Sequence, residues 1–180
     1  RVPEGPARRL VPRGHATPED AAPVRAPSLH ALHDPAGLPD MERAAERLEQ
    51  AVERGETVLV HGDYDVDGVS GTVLLVRFLR HLGANVEWHI PHRTRDGYSF
   101  GDHSVRKAEE TGAKLVISVD NGTSAVEPIA ALAERGVDVI VTDHHEPPEG
   151  ALPAAFALVN PKLPTSTYPF RELCGSAVAF

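Results

Sequence analysis

Cysteine is nearly absent from this chain of 180 residues: Cys174 stands alone, so neither a disulfide framework nor a thiolate zinc site can be assembled. A reducing compartment fits that composition. No apolar run approaches the roughly 20 residues needed to cross a bilayer, and the opening Arg1-Val2-Pro3-Glu4 lacks the apolar core of a secretory signal. Both absences predict a cytoplasmic protein with no membrane partner. Positive charge is short as well, since 18 Lys and Arg against 26 Asp and Glu leave a formal net charge of -8. This argues against a surface that holds nucleic acid by phosphate neutralisation alone, and aromatics at 5% supply few base-stacking platforms. A polyanionic substrate then needs another source of positive charge, and divalent cations on a carboxylate cluster are such a source.

The length suits one α/β domain with a substantial core rather than two complete domains. Residues 1–39 are dense in Pro, Gly, Ala and Arg without sustained periodicity, and read as an extended or partly disordered leader. Residues 40–180 form the domain. Asp40 is placed to cap a helix over 41–54, where Met41, Ala44, Ala45, Leu48, Ala51 and Val52 recur at helical spacing, and Gly55 closes it. Further on, apolar runs at 57–60, 85–90, 114–119, 137–142 and 156–159 alternate with helical patterns at 69–82, 102–110 and 124–135. Such alternation predicts an α/β fold with a mostly parallel sheet of about five strands and helices on both faces. The last residues, Gly175-Ser176-Ala177-Val178-Ala179-Phe180, read as the opening turn of an apolar helix without a C-terminal cap. The domain is therefore expected to be truncated at that end.

Three of the apolar runs end on acidic or histidine residues. The first leads into His61-Gly62-Asp63-Tyr64-Asp65-Val66-Asp67-Gly68, another into Asp120-Asn121-Gly122-Thr123, and the next into Asp143-His144-His145. In open α/β sheets the ligand site lies beyond the carboxyl ends of the strands, so these clusters are expected to converge. Taken singly, each Asp reads equally as a turn or capping residue, and a His pair at a loop start is commonly solvated. Together they point to metal. Carboxylate oxygens and imidazole suit Mg²⁺ or Mn²⁺, and like charges packed this closely raise one another's pKa values unless a cation compensates them. The run from Asp63 also matches the opening of a calcium-binding helix-loop-helix motif, but that motif needs a preceding helix and a bidentate Glu where Leu74 stands. The turn at Gly122-Thr123-Ser124 precedes a helix and is a candidate for presenting backbone N–H groups to phosphate. His15, His30, His33, His81, His89 and His103 lack such context and read as surface or packing residues.

In their order, Asp-x-Asp-Gly, Asp-Asn-Gly-Thr and Val-Thr-Asp-His-His resemble the first three motifs of the DHH phosphoesterase superfamily. The run 61–68, the loop 93–98, Val159-Asn160-Pro161-Lys162, Tyr168-Pro169-Phe170 and Leu173-Cys174-Gly175 bring it nearest to the superfamily's single-stranded-DNA-specific 5′ to 3′ exonucleases. The similarity is expected over residues 29–180, leaving the leader outside. The resemblance implies that His61, Asp65 and Asp67 bind one or other of two Mn²⁺ or Mg²⁺ ions, with Asp63 a ligand or a supporting group. It further implies that Asp120 bridges the ions, that His144 binds one while Asp143 orients its ring, and that His145 contacts the scissile phosphate or the metal shell. Phosphodiester hydrolysis to 5′-mononucleotides, in DNA repair and recombination, is the implied activity, with single-stranded DNA as substrate and a helicase and a single-strand-binding protein as implied partners. The superfamily's fourth motif, a further ligand Asp, and its DHHA1 domain have no counterpart after Pro164, which implies weak or no turnover for these residues alone.

Two other readings stay open. Another DHH phosphoesterase, a pyrophosphatase or a hydrolase of short oligonucleotides or cyclic dinucleotides, shares the three motifs. A phosphoacceptor receiver domain also carries acidic residues after its first strand and an Asp after its third, with Asp120, Thr142 and Lys162 in matching places, but does not predict Asp143-His144-His145.

Overall fold

The structure, a computed structural model, describes residues 4–97 and 99–180. Arg1, Val2, Pro3 and the Tyr98 end of the polar loop lie outside the described residues. The chain divides into two units, Arg1–Asp34 and Pro35–Phe180. The first unit differs from the extended leader that its composition suggests, because it carries helices α1 (Glu4–Leu10) and α2 (Pro18–Arg25) with 3₁₀ turns at Val11–Arg13 and Leu29–Ala31. The reason is local. Thr17 accepts from the Asp20 backbone N–H while Asp20 accepts from that of Thr17, and Pro18 occupies the first helical turn, where its missing N–H costs nothing.

The second unit runs α3 (Met41–Glu53), β1 (Thr57–His61), α4 (Val66–His81), β2 (Asn85–His89), α5 (Asp102–Thr111), β3 (Leu115–Val119), α6 (Val126–Glu134), β4 (Asp138–Thr142), β5 (Ala157–Val159) and α7 (Gly175–Ala179). The five strands form one parallel sheet in the order β2-β1-β3-β4-β5. Helices cover both faces, as expected. Alternation along the strands sorts the core: Val58, Val60, Leu115, Ile117 and Val119 pack with α3, α4 and α7, whereas Leu59, Val116, Val139 and Val141 pack with α5 and α6. The order reverses between β1 and β3, and it is at such a switch point that loops part and leave a crevice.

Two local expectations need correction. Asp40 stands at the N-cap position of α3, but its side chain makes no capping bond and instead accepts from the Leu158 N–H at 3.0 Å, tying α3 to β5. Helix α4 starts at Val66 rather than near Val69, because Asp65 caps it, and Gly68 lies within its first turn. Among the described residues no helix is long and apolar enough to cross a membrane.

The sheet's other end is held by one buried guanidinium. Arg47 of α3 reaches Glu56 at 2.7 Å and Asp138 at 2.7 Å, so the helix, the entry to β1 and the start of β4 share a single ion cluster. Removing one member of a buried cluster leaves uncompensated charge, whereas an exposed pair such as Arg135–Glu109 is worth little. Arg47→Met is expected to lower unfolding free energy by about 2–3 kcal/mol and Arg135→Met by less than about 1 kcal/mol, both read from urea midpoints.

Candidate metal centre

Each strand end continues the ladder by one bond before releasing the chain into its loop. Gly62 N–H donates to His89 O, Asp120 N–H to Thr142 O, and Asp143 N–H to Val159 O, all at 2.9–3.1 Å. The acidic residues beyond those points therefore begin from fixed positions. Asp120 itself sits at φ +64, a left-handed conformation that Asp tolerates better than most residues. The turn is braced by Ser118 Oγ donating to Asn121 O at 2.7 Å and by Asn121 Nδ2 donating to Val119 O at 3.1 Å.

The three clusters meet. Asp63, Asp65 and Asp120 offer ligand oxygens within 4.8 Å of one another, and Asp120, His144 and His145 form a second group within the same limit. His144 Nε2 lies 3.1 Å from Asp120 Oδ1 and 3.9 Å from Asp67 Oδ2. Asp120 belongs to both groups, and its Oδ1 is buried and meets His144 Nε2 without the alignment of a hydrogen bond, while Asp63 Oδ1 is buried without a hydrogen bond. Burial, then the facing charges of Asp65 and Asp67, push the Asp120 carboxyl up to about 8. Burial likewise raises Asp63. Orphaned oxygens among mutually repelling carboxylates, with two imidazoles at the rim, fit a pair of hard divalent cations.

The other carboxylates are already held. Asp65 Oδ1 accepts from the backbone of Asp67 and Gly68 at 2.9 and 3.0 Å, capping α4. Asp67 accepts from Gly175 and Ser176 at 2.7 Å each, at the start of α7. Burial acts to raise Asp67, yet the Ser176 side chain together with those two amides outweighs it and holds the carboxyl below its ordinary range. Asp143, although buried, is drawn down to about 2 by His145 and Thr123. Glycine is required at two of these approaches: a Cβ on Gly68 would stand 2.5 Å from Asp63 N, and one on Gly175 would collide with the Asp120 carboxylate.

Several expectations change. His61 does not join the carboxylates; it is fully buried, its Nε2 lies 2.9 Å from Ser104 Oγ, and it is grouped with His89 and His103, which the sequence had left as surface or packing residues. Burial first, then those two neighbours, hold its pKa down to about 3. Asp143 orients the ring of His145, not that of His144: Oδ1 lies 2.7 Å from His145 Nδ1, while His144 reaches it only through its backbone N–H. Gly122 and Thr123 are buried, and the Thr123 N–H proposed for phosphate is spent on Asp143 Oδ2 at 2.9 Å. Sequence reasoning also missed two supports. Asn160, fully buried, donates to Thr123 Oγ1 and His145 O. The amides of Gly175 and Ser176 were overlooked because a backbone donor leaves no residue-type signature, although Leu173-Cys174-Gly175 had stood out.

Residues 57–180 match the model of the DHH family, N-terminal domain. The chain belongs to the DHH family. It is 42% identical over 175 residues to the single-stranded-DNA-specific exonuclease RecJ of Bacillus subtilis, a match that takes in 97% of this chain and 22% of that protein. This match takes in most of the leader, expected to lie outside the similarity, whereas the matches to the corresponding exonucleases of Haemophilus influenzae and Escherichia coli take in 85% and 79% of the chain, about the extent expected. Among solved structures the chain is similar to exonuclease RecJ bound to manganese, at 39% identity and a TM-score of 0.73, over 82% of this chain and 37% of that one. It is also similar to RecJ in complex with Mn²⁺ from Thermus thermophilus, at 33% identity and a TM-score of 0.68, over 99% of this chain and 26% of that one. The chain spans between 22% and 37% of the length of these relatives.

Two measurements test the centre. A carboxyl raised in the fold keeps its proton when the unfolded chain has lost it, so stability falls as pH rises toward about 8, by up to about 1.4 kcal/mol per unit. Chelator-treated protein is expected to lose unfolding free energy between about pH 5 and pH 8 and to level off above that, and Asp120→Asn to flatten that slope in urea titrations at each pH. Gly175→Ala, by displacing Asp120, is expected to weaken Mn²⁺ binding at least tenfold in calorimetry while far-UV dichroism is retained.

Proposed function

We propose that this chain supplies the metal-binding part of the active site of a single-stranded-DNA exonuclease that works 5′ to 3′ and releases mononucleotides. The observation that carries the reading is Asp120, a buried carboxylate with an unsatisfied oxygen, common to both ligand groups at the switch point of a fold that resembles manganese-bound exonucleases. Asp63, Asp65, Asp67, Asp120, His144 and His145 would hold two Mn²⁺ or Mg²⁺ ions. When bound, such ions lower the pKa of a water molecule and neutralise charge on both the attacking and the leaving oxygen of an in-line displacement.

The chain's own residues do the rest. Asp143 holds His145 by Nδ1 and, as the leading cause, raises its pKa, so the imidazole keeps a proton more readily and suits contact with an anionic phosphate oxygen. Asp67 is fixed by α7 with both oxygens engaged, which leaves its remaining lone pairs directed by the fold rather than by side-chain rotation. With a net charge of -8 over these residues, cations loaded in the cleft would be the local source of attraction for a nucleic-acid phosphate.

A chimaera in which this chain replaces the matching segment of the Bacillus subtilis exonuclease is expected to release 5′-mononucleotides from end-labelled single-stranded DNA in Mn²⁺. Asp65→Asn, Asp120→Asn or His144→Gln in it should each lower the rate by about 100- to 1000-fold or more, the cost of losing one preorganised charge-stabilising group. Preference for pyrophosphate or dinucleotides over long DNA would replace this reading with that of another DHH phosphoesterase.

A further inference from the structure

Seven buried side-chain N or O atoms lack a hydrogen-bond partner among the described residues, and three of them sit together: His61 Nδ1, His89 Nε2 and His103 Nε2. His61 and His89 end adjacent parallel strands in register, and His103 enters from the first turn of α5. Their ring centroids are 5.1, 5.4 and 5.6 Å apart. Three imidazoles directed at one zinc ion, with Zn–N of about 2.0–2.1 Å and tetrahedral angles, have centroids roughly 5.2 Å apart. The rings already stand at that separation. Their ligand nitrogens lie within 4.8 Å of one another and need only ring rotation to reach the roughly 3.4 Å of a bound set.

We propose that His61, His89 and His103 form a separate site for a borderline divalent cation of the zinc class, distinct from the carboxylate centre. Three imidazoles and no carboxylate select zinc over the Mn²⁺ and Mg²⁺ favoured by oxygen ligands. Ser104 Oγ is the supporting partner: it accepts from Gly101 N–H at 3.0 Å and lies 2.9 Å from His61 Nε2, and in the tautomer where it accepts the Nε2–H the unpartnered Nδ1 keeps its lone pair for a cation. Phe100, with its ring centroid 4.8 Å from that of His61, closes the apolar side. A structural ion here joins β1, β2 and α5 and fixes both ends of the segment 90–102 that links two of its ligands.

The test uses the full chain carrying Asp120→Asn and His144→Gln, which disables both carboxylate-containing groups. One equivalent of Zn²⁺ is expected to bind, and zinc-edge X-ray absorption to show three imidazole nitrogens at about 2.0–2.1 Å. In that background His89→Gln and His103→Gln should each weaken Zn²⁺ at least tenfold in competition with a chromophoric chelator, with far-UV dichroism of the metal-free forms unchanged. An oxygen-dominated shell, or a Zn²⁺ affinity indifferent to both substitutions, would overturn the site. The absorption measurement decides even if a substituted chain fails to fold.

Discussion

Everything at the carboxyl end of this sheet is arranged around one electrostatic difficulty, the gathering of Asp63, Asp65, Asp67, Asp120 and Asp143 into a single crevice. Coulomb repulsion between such groups strengthens as water is excluded. The fold answers it with backbone amides. Asp65 takes the first turn of α4, Asp67 takes that of α7, and Asp143 takes Thr123, His144 and His145. Charge-assisted bonds of this kind are short and directional, so they position the carboxylates while stabilising the ionised form. Asp120 is left out of that provision, and its protonation behaviour differs accordingly.

The same difficulty explains the glycines that line the crevice. Gly68 lets α4 begin directly against the backbone of Asp63, Gly71 lets α4 approach Val119 and Ser176, and Gly175 yields to Asp120. Close backbone approach keeps amide donors within reach of the carboxylates, and a methyl group at any of these points would push a donor or a ligand out of place. Packing and electrostatics thus constrain the same few positions.

Much of this was legible in the amino-acid order. Five short apolar runs separated by helical periodicity specify a parallel sheet, and acidic residues after three of them specify where chemistry gathers, because the strand's end is where the chain leaves the core. Side-chain direction was less accessible. His61 precedes Asp63 by two residues, yet it points into a different cluster, and that depends on its register with His89 and on the docking of α5. The start of α4 was misjudged because Val66-Asp67-Gly68 looks like a turn until Asp65 is recognised as its cap. Proline content hid α2, although Thr17-Pro18 with Asp20 carries a helix-start signature. Hydrogen bonds donated by amides, such as those onto Asp67, belong to the fold and have no letter of their own.

The grip of α7 on Asp67 has a thermodynamic consequence. One carboxylate seats a helix more than a hundred residues away along the chain, and if it also holds an ion, as proposed, the two equilibria are linked and must shift each other by equal factors. Ion affinity in this chain would then be partly a measure of how firmly a distant segment is docked, and a substitution beneath that segment would register as a change in apparent metal affinity without touching a ligand.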